Sequence, residues 1–191
     1  NDINANGIYI GKGTNSRSNN IAIGFAGVGL KNFNTNTSTS AINNIAIGVN
    51  TLSSLADGYS NNAVGNGALS NTNGGYQNNA FGFEALKLNT TGSSNNAFGA
   101  NALTANLVGS NNTAVGWNAL KYNDGGSGNT AVGHGAMENT GGNFTSGTYN
   151  TAIGFSAGVA SGKTNSTAIG NGATVTVDNT IQLGNTSVTE V

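Results

Sequence analysis

A five-residue unit, Asn-x-Ala-aliphatic/Phe-Gly, returns along most of this chain and constrains its fold more than any other feature. It reads NIAIG ending at Gly24 and Gly48, NNAVG at Gly65, NNAFG at Gly82 and Gly99, NTAVG at Gly116 and Gly133, and NTAIG at Gly154, with the variant STAIG at Gly170. The glycine-to-glycine steps are 24, 17, 17, 17, 17, 17, 21 and 16 residues. A fixed period of this kind is the signature of an array in which one supersecondary unit stacks on the next. Looser copies flank the array, IYIG ending at Gly11 and IQLG ending at Gly184. A half-motif follows each central glycine: Ala68-Leu69, Ala85-Leu86, Ala102-Leu103, Ala119-Leu120 and Ala136-Met137. The polar stretches between them, such as SNTNGGYQ and KYNDGGSG, carry turn chemistry.

A unit of 17 residues is too short for the helical pairs of ankyrin or tetratricopeptide arrays. It suits one coil of a solenoid. With 36 Asn, 31 Gly and no Pro in 191 residues, composition alone reads as low complexity. The apolar residues recur at fixed places, however, and that overrules the composition. Gly and Asn in every unit also weigh heavily against helix. The predicted fold is all-β: a β-solenoid, or parallel β-roll, of about ten short coils, each with two short strands and two turns. Rungs about 4.8 Å apart make this a rod roughly 45–50 Å long.

Neighbouring strand residues point to opposite faces. Ala22, Ala46, Ala63, Ala80, Ala97, Ala114, Ala131, Ala152 and Ala168 stand two before the glycine. The next position is always larger and apolar: Ile23, Ile47, Val64, Phe81, Phe98, Val115, Val132, Ile153 and Ile169. Both faces of the strand are therefore apolar, which marks burial on both sides. A thin coil has one interior, so the second face is expected to meet copies of the same chain in a closed cyclic assembly. The Asn four before each glycine (Asn20, Asn44, Asn61, Asn78, Asn95, Asn112, Asn129, Asn150) is expected to form a rung-to-rung amide ladder, with a ligand-binding row as the alternative.

Charged residues make up 7% of the chain and the formal net charge is −1, so no clustered Lys and Arg offer a nucleic-acid surface. There is no cysteine, which excludes disulfides, thiolate nucleophiles and thiolate metal sites. His134 is the only histidine, and the seven acids (Asp2, Asp57, Glu84, Asp124, Glu138, Asp178, Glu190) share no common place in the units. Neither a triad nor a paired-carboxylate site is indicated. Repeats of the calcium-binding GGxGxD kind are lacking. The reading is non-enzymatic, with no cofactor and no metal. No window approaches the roughly 18 apolar residues of a membrane helix, so this segment is not expected to insert in a membrane.

Candidate contact residues are the aromatics. The position after each motif glycine reads Phe25, Val49, Asn66, Phe83, Ala100, Trp117, His134, Phe155 and Asn171. In register, Trp117, His134 and Phe155 fall on successive rungs, either as an exposed strip able to stack on sugar faces or as packing at a corner of the coil. Tyr59 and Tyr76 should stack outside on neighbouring coils, and Tyr122, Phe144 and Tyr149 sit in polar turns. Two oversized units insert KNFNTNTSTSAI (31–42) and ENTGGNFTSGTY (138–149); projecting loops are where function collects. These aromatics serve either as a binding patch or as caps over coil edges.

The NTAIGxxAL-type repeats resemble the YadA-like head of trimeric autotransporter adhesins, a left-handed parallel β-roll trimer. With the leading NANGIYIGKG they are also similar to repeats in the tail fibres of phages and phage-like injection systems. DNTIQLGN at 178–185 is similar to the segment where such heads narrow into a neck. The resemblance divides the chain into head repeats at 1–177 and a last coil with the start of a neck or stalk connector at 178–191. It departs in coil length, since many such heads have 14-residue coils, and in lacking the basic residues of the best-known necks. What it implies is an extracellular homotrimer on a bacterial surface, virion or injection-system fibre. Its partners would be itself and a host-cell or bacterial surface receptor, glycan or matrix protein. A purely structural spacer and an ice-binding solenoid are the alternatives. Against the latter, the position three before the glycine changes from Ile21 and Ile45 through Asn62, Asn79 and Asn96 to Thr113, Thr130, Thr151 and Thr167, so a uniform Thr face is lacking.

Overall fold

The computed structural model describes residues 3–5, 8–11, 20–25, 41–138 and 147–188. Among them there is no helix. Every motif copy forms a short strand: β3 (Ile21–Phe25), β4 (Ile45–Ile47), β5 (Asn62–Val64), β6 (Asn79–Phe81), β7 (Asn96–Phe98), β8 (Thr113–Val115), β9 (Thr130–Val132), β10 (Thr151–Ile153), β12 (Thr167–Ile169) and β14 (Ile181–Leu183). They lie side by side in that order as one parallel ladder. Register is strict: Ala63 pairs with Ala80, Ala80 with Ala97, Ala97 with Ala114 and Ala114 with Ala131. The molecule is a parallel β-solenoid of about eight turns, with most coils 17 residues long.

Two features depart from the sequence expectation. The first is at the N-terminal end of the ladder. The IYIG segment does not form a coil; as β2 (Ile8–Gly11) it pairs antiparallel with β3 and with β1 (Ile3–Ala5). A rung of the ladder must run parallel to its neighbour, and β2 runs opposite to β3. β2 thus lies along the first strand of the parallel array and occupies its open hydrogen-bonding edge.

The second departure is on the far side of the coil, where no regular second strand forms in the 17-residue units. Leu52, Leu69, Leu86, Leu103 and Leu120 sit there with φ between 48° and 53°, a left-handed conformation that interrupts extended chain. Backbone bonds still join the coils: the amide of Leu69 donates to the carbonyl of Ala85 (3.0 Å), Leu86 to Ala102 (3.0 Å) and Leu103 to Ala119 (3.0 Å). Where the last coils shorten, the half-motif becomes Ala-Gly-Val and Ala-Thr-Val. Val159 and Val175, β-branched and unsuited to positive φ, lie in the two-stranded parallel sheet of β11 (Gly158–Val159) and β13 (Thr174–Val175).

The core is narrow and layered. The strand Ala and the half-motif Ala and Leu are buried together in one continuous cluster running along the axis. Small Ala facing Leu across so thin a coil leaves no room for anything larger. The motif glycine marks the corner. Gly99 has φ 141°, and a Cβ there would lie 2.5 Å from the carbonyl oxygen of Gly116 on the next coil. Any side chain would push two coils apart, which is why the glycine recurs at every rung.

Candidate functional site

The Asn of each motif points inward and is buried. Its side chain does three things at once. Asn95 Nδ2 donates to the carbonyl of Gly109 on the next coil (2.8 Å) and to Asn78 Oδ1 (3.1 Å). Asn95 Oδ1 accepts from the backbone amide and the Nδ2 of Asn112 (3.0 and 3.1 Å). The same pattern runs through Asn44, Asn61, Asn78, Asn95 and Asn112, and Asn129 and Asn150 continue it through backbone amides. The row is a structural spine and is closed to ligands by burial.

A second buried amide row was not anticipated. Asn106 Nδ2 donates to Asn89 Oδ1 (2.9 Å) and Asn123 Nδ2 to Asn106 Oδ1 (2.8 Å), while Asn89, Asn106 and Asn123 each also donate to the carbonyl of the glycine three residues on (Gly92, Gly109 and Gly126). Thr72 holds the same place one coil earlier, and its buried Oγ1 has no partner. The signal was in the sequence, since Asn89, Asn106 and Asn123 are 17 apart, but the row begins inside stretches that read as turns.

The outer face of the ladder is different in character. Phe81, Phe98, Val115, Val132, Ile153 and Ile169 are exposed in this single chain to between 36% and 43%, whereas their strand-neighbour Ala residues are fully covered. The rings of Phe81 and Phe98 stack with centroids 5.0 Å apart. Beside this stripe, at the position two earlier in each strand, Asn62, Asn79 and Asn96 form a half-buried amide ladder (2.7 and 2.8 Å). Thr113, Thr130, Thr151 and Thr167 then continue the row.

Of the candidate contact residues, several fall together. Trp117, His134 and Phe155 stack on successive coils with centroids 4.6 and 5.1 Å apart, and all three are exposed. Tyr59 and Tyr76 form a second exposed stack, 5.0 Å apart and within 3° of parallel. Tyr122 is only half-exposed, with Lys121 Nζ 5.1 Å from its ring centroid. Tyr149 is largely exposed and its ring lies over Gly128, where a Cβ would come within 2.7 Å of it. Phe144 lies outside the described residues, as do 31–40 and 139–146 of the two inserts.

Polar chemistry on the surface is sparse. Glu84 and Lys87 form an ion pair of 2.7 Å, and Asn118 Nδ2 donates to Glu138 (2.6 Å) while its own buried Oδ1 has no partner. No group of three or more His, Cys, Asp or Glu among the described residues could hold a metal ion. What the surface can do is present in-register rows of rings, methyls and amides at the rung spacing. No protein-family model, characterised protein or solved structure gives a significant match to this chain.

Proposed function

We propose that this chain is a segment of a trimeric extracellular fibre, an adhesin or receptor-binding rod of the YadA-like head type, and that it attaches to a cell surface or matrix ligand without catalysis. The observation that carries this reading is the outer stripe of Phe81, Phe98, Val115, Val132, Ile153 and Ile169. A continuous row of large apolar side chains on a flat sheet is unusual for a surface that stays in water. Each is open to between 36% and 43% in one chain, so burying the remainder stabilises an assembly by about 0.5–1.3 kcal/mol per side chain. Copies of one rod bring identical stripes to a common axis, and rotational symmetry closes that arrangement with no free edge. The aromatic rows away from that axis then remain for a ligand.

Light scattering on the intact chain tests the assembly. A mass three times 18.9 kDa is expected, and a clean monomer would remove the trimeric reading. Binding to cells and to immobilised glycans or matrix proteins separates an adhesive rod from a plain spacer. A second reading has one observation in its favour: Thr113, Thr130, Thr151 and Thr167 stand in register on the outer face, the geometry of an ice-binding rod. Thermal hysteresis in a freezing assay decides it.

A further inference from the structure

The row that follows the motif glycines carries a gap. Phe83, Ala100 and Trp117 occupy the same place on three successive coils. The adjacent backbone confirms the rung order, since the amide of Asn101 donates to the carbonyl of Phe83 (2.8 Å) and that of Asn118 to the carbonyl of Ala100 (3.0 Å). On the other side of Trp117 the row is filled, with His134 and Phe155 stacked at 4.6 and 5.1 Å. On the Ala100 side a ring is missing. Two rungs separate Phe83 from Trp117, about 9.6 Å at the ladder spacing. That leaves room for one ring seated at the same distance from each wall as the stacked rings keep from one another elsewhere in the row. Phe83 and Trp117 are about half exposed, so the gap opens to solvent. From Phe83 to Phe155 it is the one rung of this row without a ring.

The chemistry around the gap is neutral and amide-rich. Asn101, next to Ala100 on the vacant rung, is half-exposed, and its side-chain amide makes no hydrogen bond among the described residues. Glu84 and Lys87, which follow the first wall, neutralise one another in their 2.7 Å pair, and Lys121, four residues after Trp117, has its Nζ 5.1 Å from the Tyr122 ring centroid. Two aromatic walls take the C–H faces of a sugar ring, and an uncommitted amide offers a donor and an acceptor to its hydroxyls. A planar aromatic ligand would use the walls and leave the amide idle.

We propose that the vacancy at Ala100, walled by Phe83 and Trp117, is a binding site for one neutral pyranose ring of a surface glycan. The site lies within one protomer. It rests on the adhesive reading only in taking its sugar from a surface.

Trp117 is the chain's only tryptophan, so its fluorescence reports on the site directly. The intact protein is titrated with methyl glucoside, methyl galactoside, N-acetylglucosamine and their short oligomers. At least one is expected to give a saturable change, weakened tenfold or more in F83A and in A100F. The second variant completes the stack of rings, so its melting temperature should match or exceed that of the parent, and loss of binding there is loss of space. No saturable response to any neutral sugar overturns the proposal, as does a response that A100F retains, or a response to phenol or indole alone. Adhesion to glycan-bearing cells that A100F keeps in full would overturn the sugar site while leaving the adhesive reading intact. Loss of adhesion in every form, with saturable sugar binding still present, would do the reverse.

Discussion

Two neighbouring asparagines of identical chemistry should differ sharply in what they contribute, because one faces the core and the other faces out. Asn95 is fully buried and Asn96 half-buried. Replacing Asn95 with Ala removes four hydrogen bonds, those to Gly109, Asn78 and the backbone and side chain of Asn112. Most partners have a second contact: Gly109 still accepts from Asn106 and Asn112 Nδ2 still donates to Gly126. The backbone amide of Asn112 does not. A buried donor left without a partner costs about 1–3 kcal/mol, and the space vacated in a coil this tightly packed adds about 1–2 kcal/mol. Asn95→Ala should therefore destabilise by about 2–5 kcal/mol. Asn96→Ala loses the single bond from Asn79 Nδ2 (2.8 Å) at a place water can reach, and should cost under about 1 kcal/mol. Urea unfolding of both variants and the parent, followed by circular dichroism at one fixed protomer concentration, measures the difference. Equal costs for the two variants, or a cost under about 1 kcal/mol for Asn95→Ala, would falsify the idea that the inner amide spine holds the coils in register.

Thr72→Asn should raise stability by about 1 kcal/mol and the melting temperature by a few degrees. The new amide would accept from Asn89 Nδ2, as Asn89 does from Asn106 (2.9 Å), in place of a hydroxyl that now has no partner; a lower melting temperature refutes this. Gly99→Ala should cost more than about 3 kcal/mol or prevent folding, because its Cβ would meet the Gly116 carbonyl at 2.5 Å and its φ of 141° is strained for any side chain. Soluble, fully folded Gly99→Ala protein in a thermal melt would contradict that. Phe98→Asn and Val115→Asn together should leave the circular dichroism spectrum unchanged yet shift the light-scattering mass toward that of a single chain, since both residues are exposed in one protomer. An unchanged oligomeric mass would place the assembly surface elsewhere.

Much of this was legible in the sequence because the repeat fixes register, and register in a parallel ladder places every side chain. The alternation around Ala63, Ala80 and Ala97 was enough to put Ala inside and Val64, Phe81 and Phe98 outside. The glycine spacing was enough to stack Trp117 on His134. Three things were not legible. The half-motif Ala-Leu reads like a strand, but left-handed φ at Leu69 and Leu86 depends on how the chain must bend to close a coil, which no local propensity encodes. The antiparallel course of β2 depends on what its neighbour offers, since IYIG satisfies either pairing direction equally well. The inner row of Asn89, Asn106 and Asn123 was hidden because Leu55 and Thr72 occupy the same place in earlier coils and break the pattern.

The strict rung-to-rung identity of the ladder makes the length of the rod an editable quantity. Contacts between the central coils repeat with a period of 17 residues, and many, such as the Ala pairs and the Asn95–Asn112 bonds, join a residue to its counterpart 17 positions away. Excising 17 consecutive residues from the middle brings equivalent surfaces together and shortens the rod by about 4.8 Å. Excising one residue within a strand turns the inner Asn and Ala outward and the outer Val and Phe inward. Reach can thus be set by gene duplication or loss in whole units, like links in a watch chain, while both ends keep the surfaces they had.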